Sequence, residues 1–444
     1  MEILLLYYGI FCIVIVLAFL VVRTQGSSGG PGWRLTPELA LVASYFCYTS
    51  AMPVSRVVWG TTLEDLDIGF LQIHILGGLG LLCGLFFGKR FAPERAGARR
   101  SIPMTPLSPV RCVIFASGAL LVVAGLIYYS VGLDFSNLFT PYGFEASISR
   151  GDNIITPAAI ATLVCCYNGA LAHAPRQTRL RRLVLVLAFI VTAAFLVRGS
   201  RNVTLIIWTP IAALALAGRR LPILKTAVIA ISAFLVYSVV AVTRSVGLAE
   251  ANSLPVTLDR LDPLQGELST SYNVYRIYNL ISFQDDLRYG KTYVVDFALN
   301  LVPRALWPNR PDSTAVGFSA NYFQTEDLVE GLGFSPVVEA MINFSALGVF
   351  PVFALFGAAV VVVARYLRNK GRWGILSYSM MLPMMVNWNR IDSSAFGKMF
   401  LVYIFLFIIL DRLMYIRGLS SRPLHYAPAA LAGGLEFQSS GRRQ

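Results

Sequence analysis

Eleven apolar runs constrain this chain more than any other feature. They lie at roughly 3–22, 37–55, 69–88, 111–131, 155–174, 183–197, 203–218, 224–242, 336–364, 374–389 and 397–416. About 20 apolar residues in a helix are enough to cross the hydrocarbon of a bilayer, where every backbone polar group must be satisfied within the protein. The expected fold is an all-α polytopic membrane protein with about 11 transmembrane helices. Composition agrees, since 56% of the 444 residues are hydrophobic and 14% are charged, against about 25% charged in a soluble domain. The first run lacks a basic flank and a small-residue cleavage site, so it reads as a retained helix and not a signal peptide.

A net charge of +13 suggests a polyanion partner until its distribution is read. With the amino terminus placed outside, 24 of the 37 lysines and arginines fall in loops on the inner side. This is the positive-inside pattern, and it accounts for the basicity without nucleic acid. The loop 89–110 carries Lys89, Arg90, Arg95, Arg99 and Arg100 and suits contact with anionic membrane lipid. All six cysteines lie within or beside apolar runs, and the three histidines are scattered. No disulfide, metal site or cofactor is expected from such a pattern.

The main departure from apolar helix is a polar stretch. Four units follow: helices 1–8 in 1–243, a large external loop in 244–335, helices 9–11 in 336–417, and a polar, disordered tail in 418–444. The span 244–333 holds seven basic and eleven acidic residues, so anion binding there depends on individually placed arginines. Within it, Ser271–Phe283 is expected to be helical. The apolar run Val294–Val302 is too short to cross a membrane and reads as a helix lying at the interface. Pro303, Pro308 and Pro311 then exclude regular helix.

Several residues in these loops could carry chemistry. The turn Arg198-Gly-Ser-Arg201 places two arginines on the outer side, where short loops should be poor in them. Guanidinium forks beside the free amides of a helix start make a diphosphate clamp. The plain alternative is an interfacial anchor reaching lipid headgroups. Arg304 and Arg310 flank Trp307, an aromatic platform for a sugar ring or a belt residue at the interface. Arg244 and Arg276 are weaker anion-binding candidates. Ser335-Pro336 starts a helix, with Glu339 in its first turn and Asn343 one turn further on the same face. Gly348 and Pro351 are expected to break this helix, leaving Glu339 at the outer interface as a general base for a sugar hydroxyl; the plain alternative is a carboxylate placed there only by the positive end of the helix dipole. Asn387, Asn389, Arg390 and Asp392 extend a polar cavity or form a polar helix end.

Together, Arg198-Gly-Ser-Arg201 and the block from Val302 to Gly348 resemble the Wzy-type O-antigen and exopolysaccharide polymerases. The block includes Pro303-Arg304, Trp307-Pro-Asn-Arg310-Pro311, Gly331–Ser335, Glu339 and Asn343-Phe344. The family's Glu-x-x-x-Asn-Phe-Gly ending meets Ser345 here in place of glycine. The resemblance implies a GT-C-like fold in the bacterial inner membrane, with the large loop in the periplasm. It also implies transfer of a growing glycan from undecaprenyl diphosphate to the non-reducing end of a lipid-linked oligosaccharide repeat unit, without metal. Arg198, Arg201, Arg304 and Arg310 would hold the anion and Glu339 would act as base. Arg244, Arg276, Trp307, Asp312 and Asn343 would contact substrate, with Asp312 as the reserve acid. Membrane lipid and a chain-length regulator protein are the further partners implied. Alternatives are an O-antigen ligase acting on lipid A-core, or a non-enzymatic flippase or transporter.

Overall fold

In a computed structural model, residues 2–23, 35–58, 65–91, 107–131, 152–171, 178–197, 201–216, 270, 274, 287–302, 306–307, 309–311, 314 and 334–415 are described. Among them, helices stand at ten of the eleven expected runs, and no strand occurs. They are α1 (Glu2–Arg23), α2 (Pro37–Val58), α3 (Asp65–Phe91), α4 (Pro109–Val131), α5 (Asp152–Leu171), α6 (Thr178–Val197) and α7 (Arg201–Ala215). The run 224–242 and the expected helix 271–283 lie outside the described residues. A π-helical turn, Thr292–Asp296, leads into the short α8 (Phe297–Leu301), so the run 294–302 is helical as expected but starts earlier. Then come α9 (Pro336–Arg368), α10 (Gly371–Asn387), a 3-10 turn (Trp388–Arg390) and α11 (Ser393–Met414).

Ile68–Phe91, Pro109–Tyr128, Pro336–Arg368 and Ser393–Met414 are long and apolar enough to cross a membrane. Large apolar side chains face outward along several helices: Leu121 is 72% exposed, Phe189 65%, Leu347 78% and Phe405 64%. Exposed apolar surface on that scale needs a partner phase, and lipid supplies it. The chain is a helical membrane protein.

The most extensive packing is between α3 and α9, and small residues make it possible. A Cβ added at Gly80 or Gly84 would collide with the carbonyl oxygens of Phe350 or Ala354, and one at Gly88 would lie 2.9 Å from the Ala358 Cα. Both series advance in the same direction, so α3 and α9 run parallel, backbone against backbone. In lipid, where apolar tails give helices no hydrophobic reason to pair, such close approach is what holds them together.

The end of the bundle remote from residue 339 is rich in basic side chains that close helix termini. Lys89 Nζ donates to the Val21 carbonyl, Arg365 Nη1 to the Lys89 carbonyl at 3.0 Å, and Arg111 Nη1 to the Met414 carbonyl at 3.1 Å. Arg372 Nε meets Asp411 Oδ1 at 2.7 Å. Last-turn carbonyls have no partner inside their own helix, and cations there also oppose the negative end of the dipole.

Helix α9 breaks, but one turn earlier than expected. Gly348 and Pro351 remain in the helix, while Phe344 (φ −139°, ψ 17°) and Ser345 (φ 63°, ψ −175°) leave it. The cause is competition for carbonyls. Arg288 N–H donates to the Ile342 carbonyl at 3.0 Å and Tyr289 N–H to the Asn343 carbonyl at 3.1 Å. A regular helix would offer those oxygens to the amides of residues 346 and 347. Gly348 contributes in another way, since a Cβ there would strike the Phe344 Cβ. Ser345 occupies a backbone region that is almost confined to glycine, at the position where the polymerase pattern has one.

Two outcomes follow for stability, both read by thermal unfolding of the detergent-solubilised protein. Gly84→Leu should cost about 2 kcal/mol or more through overpacking, whereas Gly118→Leu, which meets nothing within 4 Å, should leave the midpoint unchanged. Ser345→Gly should raise the midpoint by relieving about 1 kcal/mol of backbone strain.

Candidate active site around Glu339

Ser335 adopts extended backbone and accepts the Val337 N–H on its hydroxyl, with Pro336 at the first helical position. This N-cap starts α9 and presents Glu339 in its first turn, fully buried. The carboxylate joins three segments. Thr292 Oγ1, from the π-helical turn, donates to Oε1 at 2.8 Å. Ser393, at the start of α11, donates its N–H and its hydroxyl to Oε2 at 2.9 and 2.7 Å. Three donors are what a buried carboxylate requires to offset its lost hydration.

Asn343 completes the bracket. Its Nδ2 donates to Thr292 Oγ1 at 2.7 Å and to the Glu339 carbonyl at 2.8 Å, while Oδ1 accepts the Gly290 N–H at 2.9 Å. Gly290 has φ 82° and its Cα faces the Phe344 ring, where a Cβ would lie at 3.1 Å. The expected shared face of Glu339 and Asn343 is thus present. Asn343 is fully buried, however, and its amide is spent on the protein in place of the substrate contact expected of it.

Asp392 sets the start of α11. Its Oδ1 accepts from Ala395 N–H at 2.6 Å and Ser394 hydroxyl at 2.5 Å, which directs the preceding Ser393 donors at Glu339. Among the described residues, its Oδ2 is buried without a hydrogen-bond partner. Tyr293 Oη is buried in the same condition, on a ring stacked against Phe344 at 6.2 Å between centroids. Burial first, and then the Glu339 carboxylate, push the Tyr293 phenol above its ordinary range. It is therefore a proton-bearing donor with no acceptor among the described residues.

Other expected site residues are placed unevenly. Arg310 is committed to α8: its Nη1 donates to the carbonyls of Leu299 at 3.2 Å, Asn300 at 3.1 Å and Val302 at 2.8 Å. Through Nη1 the guanidinium closes a helix end, a structural role that the sequence did not suggest. Trp307 is 41% exposed beside Leu306 at 79%. Arg201 begins α7, and the neighbouring Asn202 accepts from Arg390 Nη1 at 3.3 Å. The Arg390 carbonyl in turn accepts the Phe334 N–H at 2.9 Å. The start of α7 thus lies at the same end of the bundle as Glu339. Arg198, Arg304, Arg244, Arg276, Asp312 and the Arg201 side chain lie outside the described residues. Asn389 is structural, donating to Ser44 Oγ at 3.0 Å.

Sequence reasoning missed Thr292, Tyr293 and Ser393, and also Arg288. Among the described residues, the Arg288 side chain bonds only Thr314, through Nη1 at 3.2 Å. Asp392-Ser393-Ser394 at a helix start carried a visible N-cap signal. Thr292 and Tyr293 carried none, because their role depends on a contact with α9 some fifty residues away.

Asn343→Ala removes the side-chain bonds from Asn343 to Gly290 and Thr292. The Gly290 N–H loses its partner, at about 1–3 kcal/mol for an unpaired buried group. Limited trypsin cleavage after Arg288 and Lys291 should accelerate in the folded variant relative to wild type. Equal rates would show that the bracket does not hold this segment.

Comparison with known proteins returns no match: no protein-family profile fits the sequence, and no curated protein or solved structure resembles the chain.

Proposed function

We propose that this protein is a membrane-embedded glycosyltransferase of the O-antigen polymerase type. It transfers a growing glycan from undecaprenyl diphosphate to the non-reducing sugar of a lipid-linked oligosaccharide repeat unit. The observation that carries this reading is the Glu339 carboxylate. It is fully buried, held by three donors from two other segments, and set at the bundle end shared with the start of α7. Structural ion pairs need no such arrangement. A base that must work only on a bound hydroxyl does.

In the reaction, the acceptor hydroxyl takes the place that Thr292 Oγ1 holds against Oε1. Its oxygen attacks the anomeric carbon of the donor glycan, the bond from that carbon to the diphosphate oxygen breaks, and the proton passes to Glu339. Undecaprenyl diphosphate leaves with the bonding electrons. Arg198, Arg201 and Arg304 stabilise the charge that develops on it, and Tyr293 Oη supplies a donor to the sugar. Arg310 supports the segment carrying Thr292 and does not bind the anion.

The basic end of the bundle faces the cytoplasm by the positive-inside rule, which turns Glu339 toward the periplasm of a bacterial inner membrane. Parallel α3 and α9 must be separated by an odd number of crossings. The fourth to eighth apolar runs provide five, which supports eleven crossings and a GT-C-like arrangement.

The test is reconstitution in lipid nanodiscs with a synthetic undecaprenyl-diphosphate-linked repeat unit, scored by the ladder of product lengths. Glu339→Gln should lower the rate by about 10²–10⁴-fold, the usual contribution of a general base. Arg198→Ala and Arg304→Ala should lower it by a similar order, as for a lost oxyanion donor. Tyr293→Phe should reduce it less. A wild-type ladder from folded Glu339→Gln would refute the assignment of the base. No elongation by wild type, with transfer to lipid A-core instead, would convert the reading to a ligase.

A further inference from the structure

The segment 291–302 is amphipathic in the inverted sense. Thr292, Asp296 and Asn300, spaced by four, turn inward, and each is hydrogen-bonded: Thr292 to Glu339 at 2.8 Å, Asp296 to Thr314, and Asn300 to Ser394 at 2.5 Å. The outward face is apolar. Val294 is 69% exposed, Val295 42% and Leu301 45%, and further along the chain Leu306 and Trp307 are also exposed, at 79% and 41%. A water-facing helix would place these residues the other way round.

We propose that this segment is a lipid-embedded strap, with Val294, Val295, Leu301, Leu306 and Trp307 packed against bilayer acyl chains. This goes beyond a helix resting on the interface, because its depth is set by what it touches. Thr292 meets Glu339 and Ser394 receives Asn300, and both partners lie within the first turn of a membrane-crossing helix. Phe297 packs on Gly397 of α11. The strap therefore crosses the ends of two spans at their own level.

Lipid is favoured over another protein by continuity and by charge. Tyr293 stacks on Phe344, which is 39% exposed, and the surface continues along α9 through Leu347 at 78% and Phe350 at 37%. That is one uninterrupted apolar band from strap to membrane span. Lys291, exposed at the strap's start, suits the phosphate level of the headgroups. The proposal is independent of the enzymatic reading and would hold for any activity of this protein.

The test uses the full chain in proteoliposomes. Spin labels at Val294→Cys and Leu301→Cys, corrected for the wild-type cysteine background, should be several-fold more accessible to oxygen than to a water-soluble nickel chelate. A label at Asn309→Cys, an exposed polar position, should show the opposite preference. Independently, the emission lost on Trp307→Phe should be the fraction quenched by lipids brominated near the headgroup. This second measurement needs only a conservative change at an exposed residue, so it survives failure of a cysteine variant to fold. Chelate accessibility at 294 and 301, with no bromolipid quenching of Trp307, would overturn the proposal. So would protection from both reagents with cross-linking of Val294→Cys into dimers, which would show a second copy covering the face.

Discussion

The carbonyl oxygens of Ile342 and Asn343 decide the shape of the end of the bundle that holds Glu339. Both are taken by backbone amides of Arg288 and Tyr289, just before the strap, and α9 breaks there. The break that follows separates a short upper piece bearing Glu339 from a long lower piece. Every element of the acidic site hangs on that exchange, since the same amides bring Thr292 to the carboxylate and Gly290 to Asn343. A loop-to-helix contact has taken the place of two helical hydrogen bonds. The break carries strain at Ser345, whose backbone is one that a side chain resists.

Below the break, α9 is immobilised by its parallel neighbour. Gly80, Gly84 and Gly88 bring α3 so close to Phe350, Ala354 and Ala358 that no side chain separates the backbones. Trp388 secures the other side, stacking on Phe356 with centroids 3.9 Å apart. The Glu339 end of the bundle therefore rests on closely packed helices.

Much of this was legible in the sequence. Length and hydropathy locate the helices because lipid leaves the backbone few choices. The Ser335-Pro336 start and the Glu339–Asn343 face are local, and local signals survive into the structure. The Gly80-x-x-x-Gly84-x-x-x-Gly88 series was also present to be read, and it names the face of α3 that meets α9. What could not be read depends on distant pairing. Gly348 and Pro351 look like the natural break points of α9, yet the strap imposes the break elsewhere. Arg310 looks like an anion ligand until its neighbours in α8 are known to need a cap. No spacing rule links Thr292 to Glu339, because only the folded strap brings them together.

The closed shell around Glu339 has a chemical consequence. A carboxylate with no open face is withheld from stray water; under the proposed transfer, this would shield an activated carrier lipid docked without an acceptor from hydrolysis. Only a hydroxyl able to displace Thr292 would gain access, and Thr292 is itself a hydroxyl. Under that proposal the resting protein holds a stand-in for the acceptor hydroxyl at Oε1, and discrimination between sugar and water becomes a contest for that one place.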